Sequence, residues 1–197
     1  MKKTFLLVTL AVLPMASRGD WKPDVINLAY GQFMSPFTSR QADISQYRLG
    51  LAWELTEPLW SSAHMVLQGY TELAVSQWRS HLDTATTQTG AEVVNQVSMS
   101  PVLRVTSARS FWGGSQPFAD LGVGASYQTE EYIEQQHPSG IKMGGHWQFE
   151  LRGMVGLSFA RERPFTIGYG WMHYSNAHLR SANDGMDFHT LQISYGL

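Results

Sequence analysis

From residue 24 onward the chain alternates. Tyr47, Leu49, Leu51, Trp53 and Leu55 are separated by Arg48, Gly50, Ala52 and Glu54. Ala119, Leu121, Val123, Ala125 and Tyr127 alternate with Asp120, Gly122, Gly124 and Ser126. Trp147, Phe149, Leu151, Val155, Leu157 and Phe159 share one parity, with Gln148, Glu150, Arg152 and Ser158 on the other. A period of two puts one set on each face of a strand. One face is apolar and aromatic; the other holds charges, amides and glycine. The pattern predicts eight strands, near 24–33, 46–55, 64–77, 94–105, 117–127, 146–159, 164–175 and 187–197. The fourth alternates least cleanly, because Pro101 interrupts it. Between the strands lie polar, turn-rich connectors such as Ser80 to Gly90, Thr129 to Gly145 and Ala160 to Pro164.

Strands with one apolar face suit a soluble sandwich or barrel with that face inside. They equally suit a membrane barrel with it outside. The N-terminus separates the two. Lys2 and Lys3 precede the apolar run Phe5 to Leu13 and then small residues, so residues 1–19 read as a secretory signal peptide. Its removal takes Lys2, Lys3 and Arg18 and leaves 11 basic against 16 acidic side chains, a net charge of −5. Export, an even strand number and tryptophans near strand ends (Trp60, Trp78, Trp112, Trp147, Trp171) favour the membrane form. Residues 20–197 are then a single all-β domain, an eight-stranded antiparallel outer-membrane β-barrel. A barrel this small is filled by side chains, and Arg48, Glu54, Glu72, Arg104, Asp120, Glu150 and Arg152 are placed to pair inside it. The composition agrees. Of 197 residues 43% are hydrophobic and 15% charged, yet mean hydropathy is −0.21, because polar partners dilute every window. The absence of cysteine excludes disulfides, a thiol nucleophile and a Cys-ligated zinc site. The low, acidic charge excludes a nucleic-acid binder.

The stretch from Pro164 to Leu197 carries candidate chemistry. Phe165, Ile167, Tyr169 and Trp171 share a face, and the same parity continues to His173 and Ser175. On the last strand Leu191, Ile193, Tyr195 and Leu197 point outward, and His189 and Asp187 share their parity. A hairpin between these strands brings Asp187 toward His173 and Ser175. The three types make a hydrolase set: imidazole takes the hydroxyl proton as serine attacks an acyl carbonyl, and a carboxylate fixes the imidazole tautomer. Asn176 and Asn183 in the connector can donate to an oxyanion. Polar residues at a strand end also read simply as a solvated rim.

The motif HYSNA, followed by NDG with an acidic residue two positions on, resembles the lipid A 3-O-deacylase family. The resemblance covers about Gly168 to Leu197. It implies an eight-stranded outer-membrane barrel that hydrolyses the ester at position 3 of lipid A. It further implies His173 as general base, Ser175 as nucleophile, and Asn176 and Asn183 as asparagines of the motif. Asp187 falls where the family has glutamate. Being one methylene shorter, it requires a closer approach of the two strands. Phe149 is similar to an aromatic near the family's site. The implied partner is lipopolysaccharide in the outer leaflet, with a homodimer admitted and no cofactor required.

Other readings remain at this point. His173, His178 and His189 lack a third and fourth ligand at fixed spacing, so no metal site is expected. Glu130, Glu131 and Glu134 read as a solvated loop, and the Gly113-Gly114 and Gly144-Gly145 pairs as turns. A noncatalytic barrel acting in adhesion or surface binding through its loops is the alternative function, and a phospholipase-like esterase a third.

Overall fold

A computed structural model of the chain describes residues 21–34, 42–81, 90–133, 141–159 and 164–197. The expected signal peptide lies outside the described residues, as does Glu134. Eight long strands account for most of the rest: β1 (Val25–Met34), β2 (Ile44–Glu54), β3 (Met65–Ser80), β4 (Val93–Ser107), β5 (Ser115–Gln128), β6 (Trp147–Phe159), β7 (Phe165–Ser175) and β8 (Met186–Gly196). Each matches one expected segment to within three residues at either end. Every strand pairs antiparallel with its chain neighbours, and β8 pairs with β1, so the sheet closes on itself. Closure leaves no unpaired edge. Pro101 sits inside β4 after all. The β4–β5 ladder skips it between Met99↔Ala125 and Val102↔Gly122 without losing register, since proline has no N–H to donate.

The alternation translates directly into an inside and an outside. Leu28, Val75, Leu121, Val155, Ile167 and Tyr169 are exposed on the outer wall, Leu121 by 71%. The opposite parity is buried and ionised. Glu72 accepts from Arg48 at 2.8 Å and from Arg152 at 3.0 Å, and Asn27 donates to its other oxygen. Arg48 also reaches Glu150 at 2.9 Å, whose other oxygen takes the Ser100 hydroxyl at 2.7 Å. Two guanidinium groups thus meet two carboxylates, and the cluster is neutral. A second pair lies nearer the terminal end, where Arg104 forks onto Asp120 through two 2.8 Å bonds and Tyr70 donates to the same carboxylate. Inward glycines give these long side chains room. A Cβ on Gly50 would sit 2.9 Å from Glu72 Cδ, and one on Gly122 2.9 Å from Arg152 Cγ.

The end of the barrel where β7 finishes is closed differently. Ile44, Trp78, Val94, Met172, Tyr174, Met186 and Phe188 fill it with apolar bulk, joined by Ile133, Ile141 and Met143. The last three belong to the β5–β6 connector, expected to be a solvated loop. Instead it makes a small ladder, Tyr132–Ile133 on Ile141–Lys142, and folds its apolar side over the barrel mouth. Trp78 was expected among the outer tryptophans. It is 1% exposed and lies inside, 4.9 Å from the Tyr174 ring. Its position is even, the inward parity of β3, whereas Trp60, Trp112 and Trp147 are exposed and Trp171 has the outward parity of β7. Among the described residues no helix is long and apolar enough to cross a membrane.

Removing Glu72 leaves Arg48 and Arg152 buried together with one carboxylate between them. Breaking a buried pair from one side costs about 3–5 kcal/mol. Glu72→Ala is therefore expected to lower the unfolding midpoint steeply in urea titrations of micelle-folded protein. Val155→Ala on the outer wall should barely move it.

Candidate active site

His173 and Ser175 stand two residues apart on β7, so their side chains project from the same face about two strand rises apart. That distance suits an imidazole reaching along the strand. His173 Nε2 lies 2.9 Å from Ser175 Oγ. On the neighbouring strand β8, Asp187 is the direct cross-strand partner of His173. His173 Nδ1 is 2.9 Å from Asp187 Oδ1. With Nδ1–H donating to the carboxylate, Nε2 is the ring's acceptor and the Ser175 hydroxyl donates to it. The chain Asp187–His173–Ser175 is the arrangement of a nucleophile, its base and the group that orients the base. Aspartate is long enough because its partner stands directly opposite, where cross-strand Cβ atoms are closest.

All three belong to the outer face. His173 and Asp187 are partly exposed there, at 23% and 16% of their side chains. Ser175 is 8% exposed, beside its register partner Phe149 on β6. Below them on the same face come Tyr169, Ile167 and the rest of the apolar wall. A polar, hydrogen-bonded set therefore lies at the rim of an apolar surface.

Trp171 completes the set, and its role was not visible in the sequence, where it read as a belt residue. Its indole N–H donates to Asp187 Oδ1 at 2.7 Å. Its ring also stacks on the imidazole at 5.5 Å and 24°. One side chain thus holds both the carboxylate and the plane of the base. The signal that would have found it is parity, for 171, 173 and 175 form one outward row. Gly185 bounds the imidazole on another side. A Cβ there would come within 3.3 Å of His173 Cε1, and its φ of +69° is one that glycine adopts without strain.

Asn176 is employed differently from the expected oxyanion donor. Asn176 is buried, and its amide donates to the carbonyls of Met143 at 2.8 Å and Ala182 at 2.6 Å. It is a strut between two loops. Asn183 Oδ1 accepts from the Asn176 backbone N–H at 2.9 Å, and its amide nitrogen faces His178 Nδ1 at 3.2 Å. Asp184 ties the same two loops again, accepting from Lys142 N at 2.7 Å and donating to Lys142 O at 3.0 Å. Gly144 fits against this junction, where a Cβ would strike Ala182 O at 1.9 Å. Immediately after Asn176, Ala177 and His178 both take left-handed backbone, φ +52° and +59°. Such conformations cost non-glycine residues roughly 1–2 kcal/mol each, and they gather at functional sites. His178 and His189 do not join His173, and among the described residues no group of three potential metal ligands occurs.

Comparison with known proteins gives consistent results. A sequence model of the family described as lipid A 3-O-deacylase (PagL) matches residues 45–196. The lipid A deacylase PagL of Pseudomonas aeruginosa is 27% identical over 192 residues, covering 97% of this chain and 96% of that protein. The lipid A deacylase PagL of Bordetella bronchiseptica is 26% identical over 101 residues, 51% of this chain and 49% of that one. Among solved structures, the outer membrane enzyme PagL superposes with a TM-score of 0.68 at 24% identity, covering 86% of this chain and 97% of that one. Neisserial surface protein A superposes at 0.50 with 7% identity, covering 88% and 95%. At these identities the two structures speak for the barrel fold.

The geometry predicts how Ser175 reacts with a fluorophosphonate probe, followed by labelling rate in micelles. Asp187→Asn should slow labelling by roughly 10³-fold or more, since the wrong imidazole tautomer is then favoured. Trp171→Phe keeps the stack but loses the indole N–H. It should slow labelling about tenfold, as expected for one hydrogen bond to a charged group.

Proposed function

The chain belongs to the lipid A 3-O-deacylase (PagL) family, and we propose that it hydrolyses the 3-O-linked acyl chain of lipid A by a Ser-His-acid mechanism. The observation that carries this reading is the pair of 2.9 Å contacts linking Asp187, His173 and Ser175 on the outer face of the barrel. A soluble substrate would need a triad opening to water or to the lumen. A membrane glycolipid needs one at the upper rim of the apolar wall, reachable sideways from the bilayer.

In the proposed reaction the His173 imidazole takes the Ser175 proton as Oγ attacks the ester carbonyl. Asp187 stabilises the imidazolium so formed. His173 then returns the proton to the glucosamine 3-oxygen as the acyl–oxygen bond breaks, leaving the acyl chain on Ser175. Water, deprotonated by the same base, releases the fatty acid and restores the serine. Trp171 keeps the carboxylate from rotating away between the two half-reactions. For the oxyanion, the backbone N–H groups of Ala177 and His178 are our candidates. They follow Ser175 closely in a left-handed turn, and neither donates to a described residue. The Asn183 amide is a third.

The setting follows from the barrel. Residues 1–19 serve as the export signal, and residues 20–197 span the outer membrane with the termini on the periplasmic side. Odd-numbered strands then run outward. Ser175 at the end of β7 reaches the outer leaflet, where lipopolysaccharide resides.

Mass spectrometry of lipid A from cells carrying the wild-type protein should show loss of the 3-O-linked hydroxyacyl chain. Ser175→Ala should restore the unmodified mass completely while the barrel still shows its heat-dependent gel shift. Full activity in that variant would remove Ser175 from the mechanism. Unmodified lipid A with the wild-type protein would favour a noncatalytic surface barrel.

A further inference from the structure

Beyond the triad, the loop that follows Ser175 carries a second arrangement. A surface pocket of about 430 Å³ lies between this loop and the β5–β6 connector, lined by Arg180, Ser181, Lys142, Tyr132, Glu131 and Gly144. Among the described residues neither Arg180 nor Lys142 forms a salt bridge, whereas Arg79 pairs with Glu92. Glu131, the one acid in the pocket, has its carboxylate 3.4 Å from His146 Nε2.

The Arg180 side chain is not loose. It lies flat on Gly145, whose α-carbon is so close that a Cβ there would be 3.0 Å from Arg180 Nε and 3.1 Å from Cδ. The Lys142 ammonium is seated 5.7 Å from the centre of the Tyr132 ring. Both cations ride on the junction already described. The Lys142 backbone N–H donates to the Asp184 carboxylate and its carbonyl accepts from the Asp184 backbone N–H, and Asn176 bridges Met143 and Ala182. The pocket and the nucleophile are therefore parts of one braced unit, five residues apart along the chain. Next to Arg180, Leu179 is 76% exposed at the loop tip.

We propose that Arg180 and Lys142, with the Ser181 hydroxyl, form a clamp for a phosphate monoester of the substrate headgroup. A guanidinium fork and an ammonium on one wall match a phosphate's several oxygens. The inference rests on the deacylase reading, which supplies the occupant. In lipid A the glucosamine that bears the 3-O-ester also bears a phosphate two carbons away, on C1. A clamp rigidly tied to Ser175 then fixes which ester of a multiply acylated lipid meets the nucleophile. The rim acts as a ruler between phosphate and carbonyl.

Two measurements on the full-length protein in phospholipid–detergent micelles test it. In the first, kcat/KM is compared for lipid A and for lipid A stripped of its C1 phosphate. The wild type should prefer the phosphorylated form by about tenfold, mainly through KM, and Arg180→Ala with Lys142→Ala should erase that preference. Equal losses on both substrates, or an unchanged preference, would overturn the clamp. The second does not require turnover. Ser175→Ala protein is immobilised and its retention of phosphorylated lipid A measured. The two charge removals should weaken retention about tenfold, and excess inorganic phosphate should leave it largely intact. Retention unaffected by the charge removals overturns the clamp, and complete displacement by inorganic phosphate overturns its assignment to a lipid headgroup. A wild type that retains phosphorylated lipid A through these cations yet cleaves none would instead count against the deacylase reading alone.

Discussion

The carboxylate of Glu72, shared between Arg48 and Arg152, is the constraint from which the rest of this barrel follows. Eight strands enclose too little space for a column of water, so whatever faces inward must be packed and electrically neutral. Two guanidinium groups, two carboxylates and the glycines that make way for them meet both conditions at the centre. The Arg104–Asp120 pair meets them toward the terminal end. Once the middle of the lumen is committed to polar side chains, the apolar residues are left to the outer wall and to the plug at the barrel mouth. The alternation along every strand is the trace of that division.

Against this division the outward row at the top of β7 is an exception. His173 and Ser175 occupy positions where the pattern calls for apolar side chains, Asp187 does so on β8, and Trp171 beside them gives its indole N–H to the group. Each finds its partner within the group, so the wall is interrupted by a closed set of hydrogen bonds and not by stray polar atoms. The support is lateral. The loop after Ser175 is bolted to the β5–β6 connector through Asn176, Asp184 and Gly144. The connector in turn is anchored in the barrel mouth by Ile133, Ile141 and Met143. Geometry at the rim is thus inherited from the apolar plug beneath it.

Most of the fold was legible from the sequence, because period-two alternation is a local signal and closure adds only register. His173, Ser175 and Asp187 were legible for the same reason, their parity being countable from Phe165 and Leu197. What escaped was non-local. Trp78 is a partial exception, since its even position already carries the inward parity of its strand although it lies near the strand end. Asn176 looks like a free amide until Met143, distant in sequence, is seen to accept from it. Ile133 and Ile141 sit in a connector whose polar composition hides two buried side chains. The substitution of aspartate for the family's glutamate looked like a shortfall in reach. It is none, because the register sets the carboxylate opposite the imidazole and Trp171 lends it a second donor.

The filled lumen has a further meaning for the membrane that holds this protein. Charged struts at the middle and aromatic rings at the mouth leave no conducting path through the barrel. A pore-forming protein raises ionic leak with every copy inserted. This one adds a reactive surface to the bilayer while remaining electrically silent. Its abundance is therefore free of the permeability limit that restrains channels, and a cell can raise it without loosening its own barrier.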